Sequence, residues 1–272
     1  MDLFLQICEL NHFKLNESTK VLLPNIWNEH HLYFDLSRRS NLYNNNTVII
    51  LFCIMKNIVI LISGRGSNFV SIAEQAKKEH WDKEGIRIAL VLSNRPDAAG
   101  LSKAQDLGIP TAVIDHKAYP DRESFERAMI QVIDPLNPAV IVLAGFMRVL
   151  TEVFIHHYEG KILNIHPALL PLFKGLDTHK RALEAGVRVH GCTVHFASCE
   201  LDGGPIVGQA VVPVVPTDTP EKLASRGLKL EHVLFPRCVH AVATGAVKLQ
   251  NGRVMMSART AQNLAVFDNL IE

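Results

Sequence analysis

Residues 162–167 read ILNIHP, an apolar run broken by an amide and an imidazole two positions apart. In an extended chain residues i and i+2 point to the same side, so Asn164 and His166 share one face while Leu163 and Ile165 share the other. Pro167 biases His166 away from the helical region and keeps the pair extended. An amide that donates hydrogen bonds and an imidazole that donates or delivers a proton suit an oxygen that gains negative charge during a reaction. A histidine satisfied at a strand edge would give the same string, so the chemistry has to be read from what accompanies it.

The stretch SCELDGGPIVGQ, residues 198–209, sets Asp202 ahead of Gly-Gly-Pro, which forces a turn. Beside His166 its carboxylate would favour the cationic ring and hold it in place. Asp before such a turn also serves as a plain turn residue. Asn, His and Asp suggest a hydrolase, yet no Gly-x-Ser-x-Gly elbow and no Ser or Cys nucleophile stands at a strand end. What remains is acid–base and oxyanion chemistry without a covalent enzyme intermediate. A substrate would bring its own nucleophile, as in acyl transfer from one small molecule to an amine on another.

SGRGSN, residues 63–68, follows an apolar run and opens a helical pattern, the arrangement that presents backbone N–H groups to an anion. A dinucleotide fingerprint needs a third glycine where Phe69 stands, and the following strand ends in LSNRP without an acidic residue for a ribose. A Walker loop is excluded by the missing Lys and Ser/Thr. A monophosphate site and a tight strand-to-helix connection both fit. His190 and His195 flank GCTV, with His195 and Thr193 on one face, and structural and functional roles are equally open for them. His156, His157 and His179 read as surface or core residues, and Arg148 stands where it could meet an acidic or planar ligand.

These residues need strands to carry them. NIVILIS (57–63) and IRIALVLS (86–93) are continuous apolar runs, followed by GIPTAVID (108–115), AVIVLAG (139–145) and KILNIH (161–166). Helical spacing separates them, with Phe69, Ile72, Ala73 and Ala76 on one stripe and a further helix over about 121–133. The rhythm predicts an α/β fold with a doubly wound, mostly parallel open sheet. After residue 190 GCTVHFAS and PIVGQAVVPV predict an antiparallel edge, and a last helix over about 219–243 packs back on the sheet. Open sheets of this kind bind ligands beyond the carboxyl ends of their strands, where Asn164 and His166 fall.

The chain has 272 residues and a formal net charge of +1, which gives no reason to expect nucleic acid or an anionic membrane as partner. Its five cysteines form no CxxC pair and have no histidines at zinc-ligand spacing, so a reduced, cytoplasmic protein without a metal is expected. Residues 1–54 lack the basic start and cleavage site of a secretory signal. Lys56 and Asn57 interrupt VIILFCIMKNIVILI short of a membrane span. Met55 stands directly before the first strand. The expected organisation is therefore an N-terminal extension over 1–54, not necessarily native, with a physiological start at Met55 and one domain over 55–272.

LISGRGSN, VLAGFMRVL, NIHPALLP, HGCTVHF and ELDGGPI, in that order, resemble phosphoribosylglycinamide formyltransferases over about residues 56–250. The resemblance implies a Rossmann-type formyltransferase fold. It also implies transfer of a formyl group from 10-formyltetrahydrofolate, a co-substrate, to the amino group of glycinamide ribonucleotide in purine biosynthesis. Asn164, His166 and Asp202 match the family's catalytic residues. Gly66, Ser67, Asn68 and Glu231 match its ribonucleotide site. Arg122, Met147, Arg148, Val149 and Leu150, with Ser198, Cys199, Glu200 and Leu201, match its folate side. Metal, nucleic acid and membrane are not implied, and monomer and dimer stay open. The chain departs from the family pattern at Ala168, Phe173, Lys174 and Asp177, beside the catalytic strand.

A related 10-formyltetrahydrofolate deformylase would carry a second histidine where Pro167 stands and a regulatory domain ahead of it. Methionyl-tRNA formyltransferases need a basic C-terminal domain for which the stretch after residue 250 is too short. A non-catalytic nucleotide-binding module would use SGRGSN alone and leave Asn164, His166 and Asp202 without a purpose.

Overall fold

The computed structural model describes residues 55–268. The expected extension over residues 1–54 lies outside them. The first strand, β1 (Lys56–Ile62), is buried at six of its seven positions. Its alternate residues feed two separate cores. Ile58, Ile60 and Ile62 pack with α1 (Ser67–Lys78), α2 (Ala99–Asp106) and α6 (Pro220–Thr244) through Phe69, Ile72, Leu101, Leu230 and Leu234. Val59 and Leu61 pack with α3 (Arg122–Ile133) and α4 (Glu152–His157) through Phe125, Met129 and Phe154. A sheet covered on both faces needs apolar residues at every position rather than every second one, which explains the continuous runs.

The remaining strands are β2 (Ile86–Ser93), β3 (Thr111–Val113), β4 (Pro138–Leu143), β5 (Ile162–His166), β6 (Val189–Phe196), β7 (Ile206–Pro213), the hairpin β8 (Lys248–Gln250) and β9 (Arg253–Met255), and β10 (Ala265–Phe267). Two short helices, α5 (Thr178–Glu184) and α7 (Ala258–Asn263), complete the elements. The main sheet runs β10-β7-β6-β5-β4-β1-β2-β3. β1 to β5 are parallel, and β6 pairs antiparallel with both β5 and β7. The expected antiparallel region is present but is not the outermost element, because β10 adds parallel to β7. The third strand is shorter than expected, three residues within 108–115.

The chain leaves β1 towards β2 and returns to β1's other side as β4. At this switch point the connecting helices lie on opposite faces, so a crevice opens at the carboxyl ends of β1 and β4. Among the described residues no helix is long and apolar enough to cross a membrane.

Candidate active site

Asn164 and His166 lie at the carboxyl end of β5, on the face opposite Leu163 and Ile165, which pack with the core around α1 and α6. Across the antiparallel ladder Asn164 faces His195, and His166 faces Thr193. Directly opposed residues share a side of the sheet, so two histidines and two hydrogen-bonding side chains collect there. The His166 ring is clamped between two acceptors. Its Nε2 donates to the Phe173 carbonyl at 2.9 Å, and its Nδ1 lies 3.3 Å from Asp202 Oδ2. An acceptor at each nitrogen is the arrangement that accommodates two N–H groups. Both side chains are buried, which strengthens the interaction relative to a surface pair.

Asp202 arrives from the turn after β6. Its backbone is left-handed, with φ +48°, and its Oδ2 also accepts from Gly175 N at 2.8 Å. The turn must pass close to β6. A Cβ at Gly204 would stand 1.8 Å from the Phe196 carbonyl oxygen, so only glycine fits. Lys174 and Glu200 pair at 2.7 Å and tie the segment after β5 to the segment after β6 a second time. The departures at Phe173 and Lys174 therefore leave the clamp intact: position 173 acts through its backbone carbonyl, and Lys174 contributes a bridge.

Asn164 Nδ2 lies 3.1 Å from His195 Nε2, while His195 Nδ1 lies 2.9 Å from the Phe196 carbonyl. Nδ1 must donate to that carbonyl, so Nε2 accepts from the amide. Burial pushes the pKa of His195 below its ordinary value, opposed by the Phe196 carbonyl and the Asp202 charge. A neutral ring with its proton on Nδ1 satisfies the Phe196 carbonyl and the Asn164 amide, and it orients Asn164; Asp202 Oδ1, 3.8 Å from Nε2, receives no hydrogen bond from it.

The glycine loop lies at the switch point. Gly66 is left-handed at φ +69°, and a Cβ there would come 3.0 Å from Gly100 Cα. The loop carbonyls turn to α2: Gly64 O accepts from Gly100 N at 3.0 Å and Arg65 O from Lys103 Nζ at 2.9 Å. Residues 63–68 line a cavity of about 360 Å³ together with Arg95, Ala144, Gly145 and Met147. Asn68 Nδ2 donates to Glu231 Oε2 at 2.8 Å, joining α1 to α6. Burial raises the Glu231 pKa, and the Asn68 hydrogen bond and the charge of His166 oppose the rise. The loop, Glu231 and His166 thus belong to one neighbourhood.

Met147 to Leu150 follow β4 as irregular chain, anchored by α3. Buried Glu126 accepts from Thr151 N at 2.8 Å and from its hydroxyl. The Arg148 guanidinium sits 5.9 Å from the Phe125 ring centroid. Arg122 opens α3 three residues before Phe125, on the same side of the helix. Met147, Val149 and Leu201 are exposed despite being apolar. On the other side, Ser198 Oγ donates to Glu200 O at 3.1 Å, and Cys199 Sγ lies 3.8 Å from His156 Nε2 on α4. A larger open depression of about 710 Å³ between α3 and α4 is bordered by none of Asn164, His166 and Asp202.

Among the other histidines, His157 pairs with Asp134 at 2.9 Å, in keeping with a surface role. His179 and His190 stack edge to face, 5.1 Å apart. The residue that sequence spacing left undecided is His195, whose contact with Asn164 follows from the β5–β6 register. Alternation with Thr193 was its one visible signal.

The family model described as formyl transferase matches residues 56–239. The phosphoribosylglycinamide formyltransferase of Escherichia coli (strain K12) is 42% identical over 203 residues, 75% of this chain and 94% of that protein. The trifunctional purine biosynthetic protein adenosine-3 of Gallus gallus is 48% identical over 192 residues, 71% of this chain but 19% of that protein. The chain thus spans about a fifth of the trifunctional relatives' length. A solved phosphoribosylglycinamide formyltransferase from Coxiella burnetii superposes with a TM-score of 0.71 at 41% identity, covering 78% of this chain and 99% of that one. With this domain match, and with relatives of this identity matched over nearly their whole length, the chain belongs to the formyl transferase family.

Proposed function

We propose that this protein transfers the formyl group of 10-formyltetrahydrofolate to the amino group of glycinamide ribonucleotide, a cytoplasmic step of purine biosynthesis. The observation that carries this is the buried His166–Asp202 pair beside Asn164 at the end of β5, linked to the anion-type glycine loop two strands away through Glu231, which accepts from Asn68 and feels the charge of His166. The names of the relatives support formyl transfer to the ribonucleotide.

Gly66, Ser67 and Asn68 hold the ribonucleotide phosphate at a helix start, and Glu231 meets the ribose. The folate lies along Met147 to Leu150 and Ser198 to Leu201, with the apolar surface of Met147, Val149 and Leu201 against it and Arg122 and Arg148 for its acidic end. The ribonucleotide amine attacks the formyl carbon. Asn164 and cationic His166 donate to the oxyanion that forms, and Asp202 balances the charge on the ring. The amine nitrogen loses a proton and the departing folate nitrogen gains one. His166 Nε2 is occupied by the Phe173 carbonyl, so the substrate oxygen takes that carbonyl's place and the segment after Pro167 shifts to admit it. Charge and protons are handled by side chains, and no metal enters the steps.

The test follows consumption of the formyl donor by the purified protein with and without glycinamide ribonucleotide. Ribonucleotide-dependent consumption that drops sharply in His166→Ala is expected. Consumption without the ribonucleotide, releasing formate, would overturn transfer in favour of hydrolysis.

A further inference from the structure

Backbone pairing between β1 and β4 ends at Leu61 and Leu143, with one last bond from Ala144 N to Leu61 O at 3.0 Å. Gly145, at φ +72°, then turns the chain away from β1. Beyond that point a side chain continues the ladder: Met147 N donates to Ser63 Oγ at 2.8 Å. Ser63 Oγ donates in turn to Asn94 Oδ1, at the end of β2, at 2.6 Å. Asn94 also meets His116, three residues past β3, whose Nδ1 lies 2.9 Å from the Asn94 main-chain carbonyl and 3.2 Å from its side-chain Nδ2. The ends of four strands are thus joined by one relay that passes through the Ser63 hydroxyl.

At the Ser63 hydroxyl the directions follow from the partners. Asn94 Oδ1 can only accept, so it takes the single proton of the Ser63 hydroxyl, and Met147 N–H must donate to the oxygen lone pair. Ser63 and Asn94 are buried, at 5% and 2% exposure, so removing the hydroxyl strands the Asn94 acceptor away from ready solvent. Ser63 immediately precedes the glycine loop, while Met147 opens the stretch assigned to the folate. Both border the same cavity. Met147 and Val149 project into solvent, the far end of the stretch being held by Glu126 at Thr151 and its near end by Ser63.

We infer that Ser63 is a positioning residue that couples the two half-sites, so that an anion on the Gly64–Asn68 loop and a folate along Met147–Leu150 tighten each other's binding through its hydroxyl. The coupling rests on the substrate assignment proposed above. Each ligand favours the joined arrangement seen here over those in which the hydroxyl is unpaired, so the first holds the segment that the second needs. Linkage makes the effect equal in both directions.

The test is calorimetric titration of folic acid, which carries no formyl group and cannot react, with and without saturating glycinamide ribonucleotide. In the unaltered protein the ribonucleotide tightens folic acid binding at least about fivefold, the lower end of ordinary coupling energies. In Ser63→Ala the coupling factor, taken as the ratio of folic acid affinities with and without the ribonucleotide, falls to about one whatever the affinity of either ligand alone. Ser63→Thr, which keeps the hydroxyl, restores it. If Ser63→Ala does not fold, Asn94→Ala, which removes the acceptor of the Ser63 proton, has to lose the coupling in its place. Independent binding in the unaltered protein, or full coupling without the hydroxyl, overturns the inference. Failure of the unaltered protein to bind folic acid or the ribonucleotide at all overturns the substrate assignment and the inference with it.

Discussion

Asn164 and His195 face each other across the β5–β6 ladder, with amide nitrogen and ring nitrogen 3.1 Å apart. The contact works in one direction only, because the other ring nitrogen of His195 is committed to the Phe196 carbonyl. A neutral His195 therefore orients the amide without competing for its role as donor to the substrate. Burial keeps the ring neutral by lowering its pKa.

His195→Leu removes the acceptor and frees the amide to rotate. Turnover is expected to fall roughly tenfold or more, less than the 10²–10³ lost with an oxyanion donor itself. His195→Gln, whose side-chain oxygen can accept in place of Nε2, should recover most of it. Activity should also decline in acid once His195 protonates, at a pH below the ordinary histidine value, since the cationic ring can no longer accept from Asn164. Steady-state rates over a pH series decide this, and unimpaired turnover in His195→Leu would contradict the positioning role.

Asp202→Asn separates charge from geometry. One oxygen, Oδ2, meets both the His166 ring and Gly175 N–H. An amide oxygen in that place keeps both contacts and removes the negative charge, with the amide NH2 in place of Oδ1, 3.8 Å from His195 Nε2. Turnover is expected to fall by roughly 10²-fold or more, while folate affinity, measured by titration, stays within about threefold because the loop keeps its anchor. Near-normal turnover would mean that His166 needs no counter-charge.

How much of this was legible in the sequence depended on the length of each signal. β1 and β2 were visible because runs such as Ile58–Ile62 and Ile88–Leu92, apolar at every position, have few other uses, and α6 because its stripe persists over 25 residues. β8, β9 and β10, at three residues each, and the short helices α5 and α7 fall below what periodicity resolves. Within the site, Asn164 and His166 were legible through their i, i+2 spacing, and Asp202 through the turn behind it. The Phe173 carbonyl was not, because a backbone acceptor leaves no trace in residue type. The Asn164–His195 and Ser63–Met147 contacts depend on pairing between distant segments, which spacing within either one does not report.

His190 links the site to acid stability. It is buried, neither ring nitrogen makes a well-formed hydrogen bond, and it lies against Phe173 and His179. Burial, with the nearby charges of His179 and His166, lowers its pKa to about 4, the Pro167 backbone offsetting this only in part. The unfolded chain titrates near 6.5 and so binds more protons between the two values. Stability from this residue is complete above about pH 6.5 and drains away as pH falls towards 4, by on the order of 3 kcal/mol in total. His190→Leu, of similar volume, should flatten that part of the pH–stability curve in denaturant titrations. An unchanged slope would mean that another group carries the acid sensitivity.

Glu231 sets stability against binding. Its carboxylate is buried and its pKa raised, with Asn68 as its hydrogen-bond donor. The folded state therefore holds the proton more tightly than the unfolded chain, and stability increases as pH falls through the folded-state value. Once ionised, the group is a cost to the fold. Glu231→Gln keeps an oxygen for Asn68 and removes that cost, so the variant is expected to melt a few degrees higher, a gain on the order of 1 kcal/mol. The same change exchanges a charged acceptor for a neutral one where the ribose hydroxyls are proposed to bind, and charge-assisted bonds are roughly twice as strong. Ribonucleotide affinity should fall about tenfold, with folate affinity nearly unchanged. A variant that gains stability and loses ribonucleotide binding together shows a group kept buried for its ligand, whereas lower stability would show that the charge serves the fold.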